Sequence, residues 1–238
     1  MRKITKNGTP ECLQQFIDAQ LAIEPSPINI TYNDFDHKKQ LRDILTEEQY
    51  GLCGYTGAAV DDRIARLQAA NNRIRFSNHI EHLKCRKTCR EEVRARGQEY
   101  GRVVGDDLAY SNMIAALEVK GAEAEQFGAS KKGSQVLPVL PTDDDCLERF
   151  VFREGDGAID GVDESAERSI EVLRLDHTTL RSWRSAAIAA WLDPEIVADA
   201  NDLREVLRAV TEPQDGLLPE FAFVVESITR QHLDEAHH

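Results

Sequence analysis

The stretch from Ile74 to Ile80 alternates well enough between apolar and polar side chains to predict a β-strand with one buried face. It leads directly into Glu81 and His82, and Asn112 follows thirty residues after His82. Adjacent strand residues point to opposite faces of a sheet. Glu81 and His82 can therefore converge on one site only if the strand ends at His82, and this condition constrains how the central part of the chain folds.

The side chains of these three residues suit metal-assisted hydrolysis. Carboxylate and carbonyl oxygens are the ligands that Mg²⁺ and Mn²⁺ prefer, which makes Glu81 and Asn112 candidate metal ligands. A neutral imidazole can take a proton from water near pH 7, which makes His82 a candidate general base. The ordinary alternatives are a polar strand-end histidine for His82 and a salt bridge to a nearby arginine for Glu81.

Two of the neighbouring residues leave alternatives open. Asn112 could orient the loop that carries His82, or it could cap a helix, because the sequence over 108–117 predicts a turn that leads into a helix. His79 lies three residues before His82, so the two side chains should point to opposite faces of a strand. His79 therefore ranks below Glu81 as a metal ligand.

Motifs on both sides of these residues resemble those of one protein family. The order along the chain is a helix, Cys-x-Tyr-x, Glu-His, Tyr-x-Asn and Gly-x-x-Lys. This order is similar to that of the HNH endonucleases of bacterial anti-phage systems, and more narrowly to the Septu-type PtuB nucleases and their retron-associated relatives. The resemblance covers most of residues 1–185. Its motifs are carried by Cys53, Tyr55, Glu81, His82, Tyr110, Asn112, Gly128, Lys131 and Lys132.

The resemblance implies a small ββα core that binds a metal, and cleavage of nucleic acid in phage defence with Mg²⁺ or Mn²⁺. It also implies a partner ATPase of the SMC/ABC type (PtuA-like) and, in some systems, a retron reverse transcriptase with its DNA. The competing hypothesis for the whole chain is a catalytically inactive or regulatory binding subunit of a defence complex.

Two lysines stand where the family motif ends in a basic residue. A cation there would hold the phosphate or stabilise the transition state. The resemblance leaves Lys131 and Lys132 both open for this role; we take Lys132 as the catalytic candidate and Lys131 as a candidate nucleic-acid contact. The ordinary alternative for either residue is a lysine in a solvated loop.

The cysteines depart from the family pattern. Many HNH proteins bind structural zinc with two Cys pairs, whereas Cys53 is the only cysteine left at the expected positions. One thiolate does not make a tetrahedral site, so we expect hydrophobic packing to replace structural zinc. A zinc protein without nuclease activity is the alternative, and it requires a helix where the local pattern predicts a strand. Its ligands would be His79, His82, Cys85 and Cys89.

The net charge of −13 argues against a nucleic-acid partner, but the charge is unevenly distributed. Residues 63–96 contain 10 Lys and Arg against 3 Asp and Glu, a balance of +7, whereas residues 151–238 contain 8 against 19, a balance of −11. A local basic stripe can neutralise phosphates on an acidic protein. We therefore predict that Arg86, Lys87 and Arg90 contact nucleic acid; the alternative is a solvated helix face.

The periodicity of the whole chain predicts an α+β fold that is mostly helical. We expect an HNH nuclease domain with N-terminal helices in residues 1–140, and a β-hairpin plus an acidic helical region in 141–238. No apolar run reaches the length of a membrane span, no secretory signal is evident, and five unevenly spaced cysteines fit a reducing cytosol, which predicts a cytoplasmic protein. Helices are expected near 11–21, 36–50, 61–70, 83–106 and from 163 onward, with a linker at 136–145 and a hairpin at 150–159.

Overall fold

The computed structural model describes residues 1–23, 29–70, 73–100 and 103–235. The chain is an α+β protein, 47% helical, with small two-stranded sheets. The α-helices of the described residues are α1 (Glu11–Ala22), α2 (Lys38–Glu48), α3 (Ile64–Ala69), α4 (Arg86–Tyr100), α5 (Ala129–Lys132), α6 (Glu164–Leu173), α7 (Thr178–Trp191), α8 (Ala200–Thr211) and α9 (Ala222–Glu235). The strands are β1 (Asn29–Ile30), β2 (Arg75–His82), β3 (Val103–Val104), β4 (Met113–Lys120), β5 (Phe150–Phe152) and β6 (Ile159–Gly161).

The central sheet is the antiparallel pair of β2 and β4, which are in register along their whole length, with His82 opposite Met113. The strand predicted over 74–80 is confirmed, and it ends at His82 as the site hypothesis requires. The turn predicted at the start of 108–117 is present, but the helix predicted after it is wrong, because Met113 begins β4. A short apolar run bounded by turns does not distinguish a buried strand from a helix, and Ala and Leu, which favour helices, fill this run.

Long-range hydrogen bonds explain why β4 is a strand. Its residues 113–117 are fully buried, and β2 pairs with one edge. At the other edge, Gln49 Oε1 accepts from Ala115 N at 2.7 Å, and Gln49 Nε2 donates to Ala115 O at 2.8 Å. Gly54 N also donates to Ala115 O, at 3.1 Å. Both edges of β4 are therefore satisfied by residues that are distant in sequence.

A short helix, α5, packs against β4 soon after the strand pair. Gly128 opens the helix with a φ of 61°, a left-handed conformation that costs glycine little. Ser130 Oγ accepts from Val119 N at 2.7 Å and fixes the helix on the strand. The side chain of Lys132, the last residue of α5, is buried. Along the chain, the order of elements is therefore β2, a long connection that contains α4, then β4 and the short helix α5.

The other helix predictions are confirmed in position by α1, α2, α3 and α4, and β5 and β6 form the predicted hairpin. The helical region begins at Asp163, whose side chain accepts from Ala166 N at 2.9 Å and caps α6. Within the described residues, no helix is both long and apolar enough to cross a membrane.

Helix α7 packs against the central strand pair. Trp183 of α7 lies against Phe76 and Phe127, with ring centroids 5.7 and 5.8 Å apart. The hydrophobic core contains side chains from both predicted domains. Residues 136–145 contain no helix or strand, and the domain boundary expected there stays a prediction.

Candidate functional site

The end of β2 places Glu81 and His82 in two adjoining clusters. β2 stops at His82, and Leu83 N then donates to Asn112 O at 2.9 Å. Glu81 shares its face of β2 with His79, because residues two apart on a strand point the same way. Among the described residues, no hydrogen bond joins the Glu81 carboxylate to the His82 imidazole.

The first cluster, which we call the Glu81 cluster, consists of Tyr55, His79, Glu81 and Lys132. Lys132 Nζ lies 2.9 Å from Glu81 Oε1, and the Tyr55 hydroxyl donates to the same oxygen at 3.4 Å. His79 Nε2 lies 3.4 Å from Glu81 Oε2. The side chain of Lys132 is 0% exposed and that of Glu81 is 14% exposed. A nearly buried carboxylate is therefore held by a fully buried ammonium group.

The charges within the Glu81 cluster keep the carboxylate ionised. Burial acts to raise the pKa of Glu81, but the hydrogen bond to His79 and the charge of Lys132 outweigh it, and the pKa lies below its ordinary value. Burial and the charge of Glu81 raise the pKa of Tyr55 well above its ordinary value, so the phenol stays a neutral donor. Lys132 Nζ also donates to His82 O at 2.9 Å, which ties α5 to the last residue of β2.

The second cluster surrounds the imidazole of His82, which is 4% exposed. The ring packs edge-on against Tyr32, with 4.7 Å between centroids, and its Nε2 lies 3.0 Å from Asp107 O. A carbonyl oxygen only accepts, so this bond places the proton on Nε2 and the lone pair on Nδ1. Burial lowers the pKa of His82 to about 4. The imidazole is therefore neutral at pH 7, as a general base must be.

Asn112 fixes the loop that follows His82. Its Oδ1 accepts from Lys84 N at 2.7 Å, and its Nδ2 donates to Lys84 O and to Asp106 O, both at 3.1 Å. These contacts are those of the loop-orienting alternative, because they join the end of β2 to the turn whose next carbonyl accepts from the imidazole. The helix-cap alternative is wrong, since β4 follows Asn112.

The two residues predicted to bind a divalent cation face different partners. Asn112 Oδ1 is occupied by the backbone of Lys84, and the Glu81 carboxylate is contacted by Lys132 and His79. In the part of the chain that the structure describes, no group of three or more His, Cys, Asp or Glu side chains could hold a metal ion. The predicted pair therefore does not fit a preformed metal cage. One carboxylate remains, which suits a Mg²⁺ ion that also takes waters and substrate phosphates as ligands.

The structural requirement of the alternative zinc site is not met. His79 and His82 lie in β2, Cys85 precedes α4, and Cys89 lies inside α4, so no continuous helix carries the four side chains. The Cys53 thiol accepts a hydrogen bond of 3.2 Å from the backbone of β4. The absence of structural zinc stays a prediction.

The residues predicted to contact nucleic acid differ in their neighbours. Lys87 Nζ lies 4.0 Å from a glutamate one helical turn later, and Lys131 Nζ lies 2.9 Å from a glutamate before α5. Arg90 Nε instead donates to Arg86 O at 3.2 Å. Among the described residues, no carboxylate oxygen lies within 4.0 Å of the guanidinium group of Arg86 or Arg90.

Sequence reasoning gave no role in the site to Tyr32, Tyr55 or Asp107, although Tyr32 and Asp107 contact His82 and Tyr55 contacts Glu81. Tyr32 N donates to Asp107 Oδ2 at 3.2 Å, across 75 residues of sequence, and no local pattern signals such a contact. The pairing of His79 with Glu81 could have been found from strand parity alone.

No protein-family model matches this chain, and no curated protein matches its sequence significantly. The resemblance to the HNH endonucleases therefore stays a prediction from the motifs.

Proposed function

We propose that this chain is an HNH-type endonuclease that hydrolyses nucleic-acid phosphodiester bonds in anti-phage defence. The observation that carries the proposal is the state of His82, a neutral imidazole whose proton is held on Nε2 by Asp107 O. The backbone carbonyl of the same residue accepts from buried Lys132. A candidate base and a cation thus meet at one residue, the first as its side chain and the second as the partner of its backbone carbonyl, and phosphodiester hydrolysis uses both kinds of group.

The arrangement of β2, β4 and α5 supports a ββα interpretation. The motif residues Glu81, Asn112 and Lys132 come, in order, from the end of the first strand, the 3₁₀ turn before the second strand, and the helix that packs on the second strand. In the proposal, these three elements are the HNH core.

In the proposed reaction, His82 Nδ1 removes a proton from water, and the hydroxide attacks phosphorus. The P–O bond to the leaving sugar oxygen breaks, and that oxygen takes up a proton from solvent. Asp107 O continues to accept the hydrogen bond from Nε2–H and thereby stabilises the imidazolium that forms. The charge of Lys132 favours the negative charge that develops on the phosphate. Asn112 is a positioning residue, because it holds the turn that supplies the carbonyl acceptor.

The proposed cofactor is Mg²⁺ or Mn²⁺, which supplies charge neutralisation at the phosphate when it is bound. Glu81 is the carboxylate that would hold it, and its Oε2, which contacts His79 at 3.4 Å rather than Lys132, would have to exchange that contact for the metal. The proposed partners are an SMC/ABC-type ATPase and, where a retron is present, its reverse transcriptase and DNA. The acidic region 151–238 is the candidate contact for a basic partner surface, and the proposed location is the cytoplasm.

The test is cleavage of plasmid DNA and of RNA by purified protein, alone and with the ATPase, in the presence of Mg²⁺, Mn²⁺ or a chelator. We expect cleavage that the chelator abolishes and that His82→Gln loses, whereas Lys120→Met retains it because this exposed lysine pairs with Glu118 outside the Glu81 cluster. Equal cleavage by wild type and His82→Gln would overturn the proposal.

A second candidate, a regulatory subunit without catalysis, is favoured by one observation. Glu81 and Lys132 satisfy each other, and Asn112 is occupied by backbone groups. A regulatory subunit predicts that the complex with the ATPase protects cells equally well with wild type and with His82→Gln. Loss of protection with His82→Gln, in a complex that still assembles, would exclude this candidate.

A further inference from the structure

A cationic surface adjoins His82, and it joins Arg86 and Arg90 of the basic stripe to Lys38 and Arg42, which lie outside the stripe. Its centre is Tyr32, which is 6% exposed. The guanidinium carbon of Arg86 lies 4.9 Å from the centre of the Tyr32 ring, and Lys38 Nζ lies 5.2 Å from it. The His82 ring meets the same tyrosine edge-on at 4.7 Å. One aromatic ring therefore brings a cation from α2 and a cation from α4 to the candidate base.

Each of the two helices contributes a second cation one turn further along. Lys38 and Arg42 are four residues apart on α2, and Arg86 and Arg90 are four apart on α4, so each pair lies on one helix face. The charges of Arg86 and Arg42 both act on the hydroxyl of Tyr32, where they oppose the burial that raises its pKa. We call these four residues the two-helix surface.

The nearby carboxylates of the first helical region are engaged with other groups. Asp34 accepts from Thr31 N and Oγ1 at 3.3 and 3.0 Å, and Asp43 pairs with Lys39 at 3.1 Å. Across the described ranges, no carboxylate oxygen lies within 4.0 Å of a cationic nitrogen of the two-helix surface. Within the described residues, the surface thus keeps four positive charges without an ion pair inside 4.0 Å, on a chain whose net charge is −13. The charges of Arg86 and Arg90 also act on the buried carboxylate of Asp107.

We infer that the two-helix surface binds the phosphodiester backbone of the nucleic acid and leads it to His82. The inference rests on the proposed function, because it takes His82 as the base. Guanidinium groups match the geometry of phosphate oxygens, and two pairs of cations suit a chain of regularly spaced anions better than one small ion. Lys87 is outside this surface, because a neighbour of Arg86 projects about 100° away around a helix and its ammonium group faces a glutamate.

Binding is measured in the His82→Gln background so that no substrate is cut. The anisotropy of labelled duplex DNA, of its single strand and of RNA with the same sequence is recorded as NaCl is raised. The slope is that of the logarithm of the binding constant against the logarithm of the salt concentration. The double variant Lys38→Gln/Arg42→Gln should reduce its magnitude on duplex DNA by about 1.8, because each phosphate contact contributes about 0.9. Arg42→Lys should keep the slope, as should Lys39→Gln, the matched control whose charge is already paired with Asp43.

An unchanged slope in the double variant, with an unchanged unfolding midpoint, would overturn the inference, and so would the absence of binding at low salt. Stronger binding of polyglutamate than of nucleic acid would assign the surface to an acidic protein and also overturn it. Cleavage by the wild type is scored separately. If the double variant loses the slope but the wild type does not cleave, the proposed function is refuted and the inference about the surface stands. If the wild type cleaves but the double variant keeps the slope, the inference about the surface is refuted and the proposed function stands.

Discussion

Replacing Lys132 by methionine removes the ammonium group of the Glu81 cluster and keeps most of the apolar side chain. Two hydrogen bonds of 2.9 Å are lost, to Glu81 Oε1 and to His82 O. Glu81, which is 14% exposed, loses its ammonium partner and, among the described residues, keeps only the contacts of 3.4 Å with Tyr55 and His79. Removal of one partner of a buried pair costs ~3–5 kcal/mol. Because Glu81 retains some contact with solvent, we expect the lower end, about 3 kcal/mol. For a chain of this size, that loss lowers the unfolding midpoint by about 6–12 °C.

The neighbouring lysine provides the matched control. Lys131 is the same residue type, but its side chain is 24% exposed and its partner Glu123 is 80% exposed. Lys131→Met should therefore change stability by less than about 1 kcal/mol. Adding Glu81→Gln to Lys132→Met removes the unpaired charge and should restore part of the stability, with a coupling of about 1–3 kcal/mol in the double-mutant cycle.

The pH dependence identifies the cause of the loss. The pKa of Glu81 in the folded protein lies below its ordinary value of 4.5, so the pair stabilises the fold above pH 4.5 and loses this contribution as the pH falls through the folded pKa. The stability difference between wild type and Lys132→Met should be largest near pH 7 and should shrink below pH 4.5. Urea unfolding followed by circular dichroism measures it. Equal stabilities at pH 7, or a difference that does not change with pH, would refute this account of Lys132.

The remaining predictions concern the second cluster and zinc. The pKa of His82 in the folded protein, about 4, lies below its ordinary value of 6.5, so the free energy of unfolding should decrease as the pH falls from 6.5 to 4. His82→Gln should make this decrease smaller, and an unchanged pH profile in that variant would contradict a buried neutral imidazole. Asn112→Ala removes three hydrogen bonds to Lys84 and Asp106 and should cost about 1–3 kcal/mol, with faster hydrogen exchange at Lys84 N; wild-type exchange there would contradict the positioning role. Metal mass spectrometry should find no stoichiometric zinc, and one zinc per chain would show that the prediction from Cys53 is wrong.

Local sequence patterns predicted those elements whose secondary structure is determined by residues close to one another in the sequence. The amphipathic helices and the alternating strand β2 are of this kind, and so is the end of β2 at His82. β4 was missed because it becomes a strand through contacts with Gln49 and Cys53, which lie 66 and 64 residues away from their partners in β4. Periodicity over a short window contains no information about such partners.

In the candidate site too, local motifs named some of the residues, whereas contacts between distant residues determined the rest of the arrangement. The motifs named Glu81 and Lys132 as candidate site residues without predicting a contact between them, and the structure joins them at 2.9 Å. Spacing alone did not reveal that Asn112 turns toward the backbone of Lys84. It also did not reveal Tyr32, because the ring reaches His82 through a tertiary contact between distant segments.

The central claim is that His82 acts as the base in phosphodiester hydrolysis. The ratio of single-turnover cleavage rates of wild type and His82→Gln tests it most directly, on one labelled nucleic acid with Mg²⁺ or Mn²⁺ and the ATPase present. Loss of a general base lowers such a rate by about 10²- to 10⁴-fold, and we predict a ratio in this range while the two proteins bind the nucleic acid equally. Equal cleavage rates, at equal binding, would contradict the claim.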